Sequence, residues 1–252
     1  MAAVRLDFDA GGSGESLLLC LHGLGANGRV WQPFLARAPE RWPGRWLAPD
    51  LRGHGGSGAA DRYDIGGYAA DVVSLLRSHA PNARLTIVGH SLGGVIAMAL
   101  AHQRHELSIA AVFALGIKVR WSEAELQQMT ALAARPPKYF GTRDEALVHY
   151  GRQSGLGARA VSAGLADRAI VAAPEGWRTA MDPAAYAVSP PNMRELLAAA
   201  TCPVHLARGA TDPMVSLADL KPFAAEPRDI AAAGHNAMVD APDKMWNWVA
   251  IR

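Results

Sequence analysis

Two cysteines, Cys20 and Cys202, are all that 252 residues contain, too few for a disulfide framework or a thiolate metal cluster. Each belongs to or adjoins an apolar run, so both are expected to be buried, reduced thiols without a catalytic role. Long apolar runs are also missing. None approaches the ~18 residues that span a bilayer, and Met1 to Ala10, with Arg5, Asp7 and Asp9, lacks the apolar centre of a secretory signal. A soluble, cytoplasmic protein is the expectation. Charge is sparse, at 19% of residues with a net value of +2, and Lys and Arg are scattered singly. No stripe of cations exists to track a phosphate backbone, which argues against nucleic acid as a partner. What is present is an ordinary globular composition, 50% hydrophobic, in a chain long enough for one domain with a sizeable core.

Short runs of Leu, Val and Ile alternate with helical patterns, the signature of a mainly parallel sheet covered by helices on both faces, an α/β fold. Strands are predicted at Leu17 to Leu21, Trp46 to Ala48, Leu85 to Val88, Ala110 to Leu115, Val204 to Ala207 and Arg228 to Ala231. Ile65 to His79 reads as a helix with Tyr68, Val72, Leu75 and Leu76 on one face, stopped by Pro81-Asn82. From residue 118 to 200 the alternation stops. This stretch shows no clear strand and carries two capping boxes, Ser122-x-x-Glu125 and Thr142-x-x-Glu145. Further helices are expected around Ala158 to Val171 and Asn192 to Ala200. The organisation predicted is a core of residues 1–117 and 201–252 with a helical cap, 118–200, inserted into it.

The run Leu85 to Ala97 contains Gly89-His90-Ser91-Leu92-Gly93 between a strand and a helix. Glycines two residues either side of the serine remove Cβ atoms where a tight turn brings backbone together, so Ser91 reads as an exposed nucleophile. A serine hydroxyl needs a base within hydrogen-bond reach, itself oriented by a third group. His235, in Gly234-His235-Asn236 after the last strand, is the base expected. The remaining histidines sit on helices, in a strand or upstream of the serine. Asp212, following the strand that ends near Ala207, is the expected orienting carboxylate; Asp219 and Asp182 fit less well, and Glu123 is a rival placed after the preceding strand. Backbone N–H groups of Leu92 and of Leu24, in His22-Gly23-Leu24-Gly25, are the expected oxyanion donors.

With these segments and Asp50-Leu51-Arg52-Gly53-His54-Gly55-Gly56-Ser57, the chain resembles the α/β-hydrolase family over nearly its full length. The resemblance implies an eight-stranded sheet with one antiparallel strand, a cap after the sixth strand, Arg52 and His54 as structural residues in a loop after the fourth, and chemistry without metal or cofactor. It further implies an acyl-enzyme on Ser91 formed from a small-molecule carbonyl substrate, an ester, thioester or lactone. No membrane association is implied, and a homodimer is compatible with it. Carbon–carbon bond hydrolysis of a β-diketone or ring-fission product, peroxide-dependent acyl chemistry and a ligand receptor with slow turnover stay open as alternatives. In the cap, Trp121, Tyr139, Tyr150, Trp177 and Met181, with Phe140 and Tyr186, supply apolar surface for a substrate pocket. Lys118, Arg152, Arg159 and Arg178 are cations able to meet a substrate carboxylate.

Overall fold

A computed structural model of the chain describes residues 3–102, 105–157, 161–224 and 226–250. Its centre is a seven-stranded sheet in the order β1-β3-β2-β4-β5-β8-β9: β1 Phe8–Gly12, β2 Ser16–Leu21, β3 Arg45–Pro49, β4 Arg84–His90, β5 Ile109–Leu115, β8 Val204–Gly209 and β9 Arg228–Ile230. Five of these cover predicted strands, and β9 matches the sixth except for Ala231, which lies past its end. β1 was not foreseen, because its Phe-Asp-Ala-Gly-Gly sequence has little strand propensity; it pairs antiparallel with β3 at the sheet edge, where a weak strand needs only one neighbour. All the other pairings of the sheet are parallel.

The α-helices of more than four residues are labelled α1 Ile65–His79, α2 Leu92–Leu100, α3 Glu123–Ala133, α4 Arg143–Gln153, α5 Met193–Ala198 and α6 Pro242–Val249. The sheet separates two apolar clusters. One joins Leu17, Leu19, Ile87 and Val112 with Tyr68, Val72 and Leu76 of α1 and with α2. The other joins Leu18, Val88 and Phe113 with Phe34, Trp246 and Trp248. Alternate residues of each central strand thus go to opposite faces, both apolar, as a sheet covered on both sides requires. The Phe34 and Trp246 rings stack at 4.2 Å, and the indole N–H donates to the Phe34 carbonyl at 2.7 Å.

The structure corrects several expectations. Seven strands are found in the sheet where the resemblance implied eight, since the described residues ahead of β2 supply a single strand. The 118–200 insertion accordingly follows the fifth strand, and the Asp50–Ser57 loop follows the third. The insertion also contains strands: β6 Ile170–Ala173 and β7 Gly176–Thr179 form an antiparallel hairpin. Its signal was present in the β-branched and aromatic residues flanking Pro174-Glu175-Gly176, with Gly176 at φ 125° closing the turn. The helix expected across Ala158 to Val171 is reduced among described residues to Ala163–Ala166. Both capping boxes form as predicted, at the starts of α3 and α4, and α5 lies where the fourth helix was expected. The insertion is tied to the main sheet's loops by Tyr63, whose hydroxyl donates to Asp182 at 2.5 Å, and by the Asp182 amide, which donates to the Gly53 carbonyl at 2.7 Å.

Candidate functional site

Ser91 stands between the end of β4 and the start of α2 with φ 50° and ψ −116°. A non-glycine residue there carries roughly 1–3 kcal/mol of backbone strain, sustained because the surroundings fix both sides of the turn. The Ser91 amide donates to the Leu115 carbonyl of β5 at 2.8 Å, and its carbonyl receives the Gly94 and Val95 amides. The flanking glycines are a steric necessity. A Cβ at Gly89 would lie 2.3 Å from the Gly93 carbonyl oxygen, and one at Gly93 would lie 2.2 Å from that of Leu21.

His235 and Asp212 approach from the other end of the sheet order. The Asp212 turn leaves β8 and is stitched to the loop after β9: the Thr211 amide donates to Ala233 at 2.9 Å, and Gly209 leaves no room for a Cβ, which would stand 1.9 Å from the Gly234 carbonyl oxygen. The two loops therefore bring together side chains 23 residues apart. His235 Nδ1 lies 2.9 Å from Asp212 Oδ2, and Asp212 Oδ1 accepts the Met214 amide at 2.8 Å. The Asp212 carboxylate is sealed from solvent while the imidazole is 10% exposed, so one edge of the ring stays open to the cavity beside Ser91. The Ser91 hydroxyl itself has no hydrogen-bond partner among the described residues. His90 packs edge-on against His235, with ring centroids 4.5 Å apart; burial, and then the nearby His235, hold its pKa well below the usual imidazole value.

The loop His22 to Gly25 faces the same serine. A Cβ at Gly23 would lie 3.1 Å from Ser91 Cβ. The Leu24 amide finds no acceptor among the described residues, and Leu92, the first residue of α2, presents an amide that the helix cannot satisfy. Two buried histidines fix this loop. His22 Nδ1–H donates to the Gly23 carbonyl at 2.8 Å while Nε2 accepts the Leu51 amide at 2.8 Å. His54 Nδ1–H donates to the Arg52 carbonyl at 2.9 Å while Nε2 accepts the Gly25 amide at 3.2 Å. Both arrangements need a neutral ring. Desolvation enforces this, lowering His22 well below its usual pKa and His54 to about 4. Arg52 is held by a buried two-point contact with Asp71, at 2.5 and 2.7 Å, in keeping with a structural reading of both residues.

Ser91, His235, Leu24 and Leu92 open on one cavity of about 520 Å³, whose walls include Ile65, Val95, Trp121, Met129 and Tyr186, a size suited to a small organic molecule. Of the seven insertion residues expected to supply a substrate pocket, Trp121 and Tyr186 line it and five do not. Tyr150 and Met181 are buried in the two core clusters. Trp177 pairs through its backbone with Phe140 beside the β6–β7 hairpin, and Tyr139 points outward, 37% exposed. Apolar composition could not tell a cavity wall from packing. Lys118 and Arg152 line the cavity; Arg178 instead donates to the Thr179 carbonyl, and Arg159 lies outside the described residues. Glu123 accepts from Gln127 on exposed α3 and does not meet His235. The sequence reading missed the strap Gln153-Ser154-Gly155, which lines the cavity. A Cβ at Gly155, φ 73°, would lie 3.3 Å from His235 Cδ2, and Asn236 Nδ2 donates to the Ser154 carbonyl at 3.2 Å. Its only signal in the sequence is a glycine, Gly155, just past the helical pattern that follows the Thr142 capping box, the position of a helix stop.

Among the described residues, no group of three or more His, Cys, Asp or Glu side chains is arranged to hold a metal ion, and no helix is long and apolar enough to cross a membrane.

A sequence model described as "Alpha/beta hydrolase family" matches residues 18–247. The chain is 31% identical over 130 residues to Lipase LipV of Mycobacterium tuberculosis, covering 52% of this chain and 48% of that protein. It is 43% identical over 105 residues to an uncharacterized protein of Mycobacterium bovis, covering 41% and 29%. The matches therefore span less than half the length of these curated relatives. Among solved structures, E-2-(acetamidomethylene)succinate hydrolase superposes with a TM-score of 0.79 at 23% identity, over 98% of this chain and 94% of that one. The thioesterase domain from the curacin biosynthetic pathway gives 0.76 at 21% identity, over the whole of both chains.

Proposed function

The chain belongs to the alpha/beta hydrolase family, and from that premise we propose that it is a serine hydrolase that cleaves a small, largely apolar ester, thioester or lactone through an acyl-enzyme on Ser91. The observation carrying this reading is the 2.9 Å contact between His235 Nδ1 and Asp212 Oδ2 at the cavity that Ser91 lines.

An ionised Asp212 accepts Nδ1–H and leaves His235 Nε2 as the acceptor facing the cavity. As Ser91 Oγ attacks the substrate carbonyl, Nε2 takes the hydroxyl proton and the carbonyl oxygen becomes an oxyanion. The Leu24 and Leu92 amides donate to it; one such donor is typically worth about 3–4 kcal/mol of barrier. Collapse of the adduct breaks the bond to the leaving alkoxide or thiolate, which receives the proton from His235. Water then attacks the acyl-enzyme with the same proton relay and regenerates the Ser91 hydroxyl. The 118–200 insertion is the cap of this site, supplying Trp121, Met129 and Tyr186 to its apolar wall.

Turnover of p-nitrophenyl butyrate, with covalent labelling by a fluorophosphonate mapped to Ser91, tests the proposal. A folded protein that neither turns over this ester nor labels at Ser91 refutes it.

A further inference from the structure

The cavity beside Ser91 is apolar over most of its wall, yet its charged lining is unbalanced. Apart from the histidines, the charged residues that line it are Lys118, Glu125 and Arg152. Lys118 is paired with Glu125, the same carboxylate that caps α3 by accepting the Ser122 amide at 2.9 Å. The Lys118 contact, then the cap, hold the Glu125 carboxyl down to about 2, so the pair persists across the ordinary pH range. Arg152 has no carboxylate partner among the described residues. Its guanidinium is the uncompensated charge of the site.

Arg152 is itself an exposed residue, and the chain on its C-terminal side fixes where its backbone lies. Gln153 packs so closely on the loop bearing Leu24 that a Cβ at Gly25 would stand 2.9 Å from Gln153 Cγ, and Gly155 lies against the His235 ring. Arg152 therefore immediately precedes a strap that runs between the oxyanion side and the imidazole side of the pocket, and it lines that pocket besides being one of the cations that commonly end a helix. A planar guanidinium with no carboxylate partner among the described residues, at the edge of an apolar cavity, matches a carboxylate in two-point geometry.

We propose that the substrate carries a carboxylate, received by Arg152, at the end of an apolar segment that spans the cavity to the carbonyl at Ser91. Hydrolysis itself rests on the preceding proposal; the added statement concerns which esters are preferred. Lys118 is withheld by Glu125 and contributes no second contact while that pair stands.

Two matched pairs of esters test this. Mono-p-nitrophenyl adipate against its methyl ester places the charge on the acyl side; 4-carboxyphenyl butyrate against its methyl ester places it on the leaving side. In one of the pairs, kcat/KM for the free acid should exceed that for the methyl ester by about tenfold at low salt, with the ratio falling as salt is raised. Arg152→Gln should bring that ratio to about one, and Glu125→Gln, which frees Lys118, should raise it. Turnover of both methyl esters with no preference for either acid overturns the carboxylate reading and leaves the hydrolase reading intact. If no ester is turned over, the hydrolase reading has failed, and titration of adipate into Ser91→Ala and Ser91→Ala/Arg152→Gln still decides recognition. Binding weakened about fivefold or more by Arg152→Gln supports it, whereas equal or undetectable binding overturns it.

Discussion

The Gly25 amide donates to Nε2 of His54 across 3.2 Å, so the loop that carries the Leu24 amide is fastened to a buried neutral imidazole 29 residues away. His54→Phe removes both this acceptor and the donor to the Arg52 carbonyl. An unpaired buried group costs about 1–3 kcal/mol, so the variant is expected to lose stability in urea denaturation. It should also lower kcat for p-nitrophenyl esters by about tenfold with a smaller change in KM, since the oxyanion is held only in the transition state. His54→Gln, which keeps an acceptor, should recover part of kcat. An unchanged kcat in His54→Phe would reduce the residue to packing.

The same imidazole gives a pH signature. Burial lowers His54 to about 4 and pushes His22 down as well, whereas an unfolded histidine titrates near ~6.5. Between these values the unfolded chain binds protons that the folded chain refuses, so stability is full above ~6.5 and is lost as pH falls toward 4. Asp50 has the opposite sign: burial raises its carboxyl from 3.8, so its contribution is present below that value and is lost as pH rises through its raised one. Thermal melts of wild type and His54→Gln at pH 7.5 and 5 are expected to show a smaller loss in the variant. An equal loss in both would disprove the linkage.

Asp212, and not Glu123, is expected to orient the imidazole. Asp212→Asn should lower kcat by roughly 10³–10⁴, while Glu123→Gln, on an exposed helix face and bonded to Gln127, should change it less than about twofold. Ser91→Ala should keep the circular dichroism spectrum of the wild type and lose nearly all ester turnover. Steady-state assays of the three variants decide the assignment.

Gly155→Ala tests the strap over His235. The new methyl group meets Asn236 Nδ2 at 3.1 Å and His235 Cδ2 at 3.3 Å, at a backbone φ of 73°. The left-handed conformation alone costs roughly 1–2 kcal/mol, and displacement of His235 should reduce kcat beyond what the stability change explains. Comparing the fall in melting temperature with the fall in kcat at 20 °C separates the two effects.

Asp71→Asn removes the partner of a buried Arg52, whose side chain is 4% exposed. Stranding that charge should destabilise the fold by about 3–5 kcal/mol, measured by urea denaturation. A loss under 1 kcal/mol would mean that the carbonyls of Arg62 and Gly67, which also accept from Arg52, suffice to hold it.

Local chemistry by itself determined the order of most strands and helices, both capping boxes and the turn at Ser91. Each depends on a period of two or about four residues, or on glycines at fixed offsets, and those signals are written in neighbouring positions. Tertiary structure decided everything that depends on which distant surface a side chain meets. Tyr150 and Met181 were as eligible as Trp121 for the cavity until packing placed them in the core. His54 became the anchor of Gly25, Gly155 became a neighbour of His235, and Lys118 was neutralised by Glu125 while Arg152 met no carboxylate among the described residues. Composition is blind to such pairings, because burial and the cancellation of charge are properties of contacts between segments, and a sequence pattern specifies only the segments.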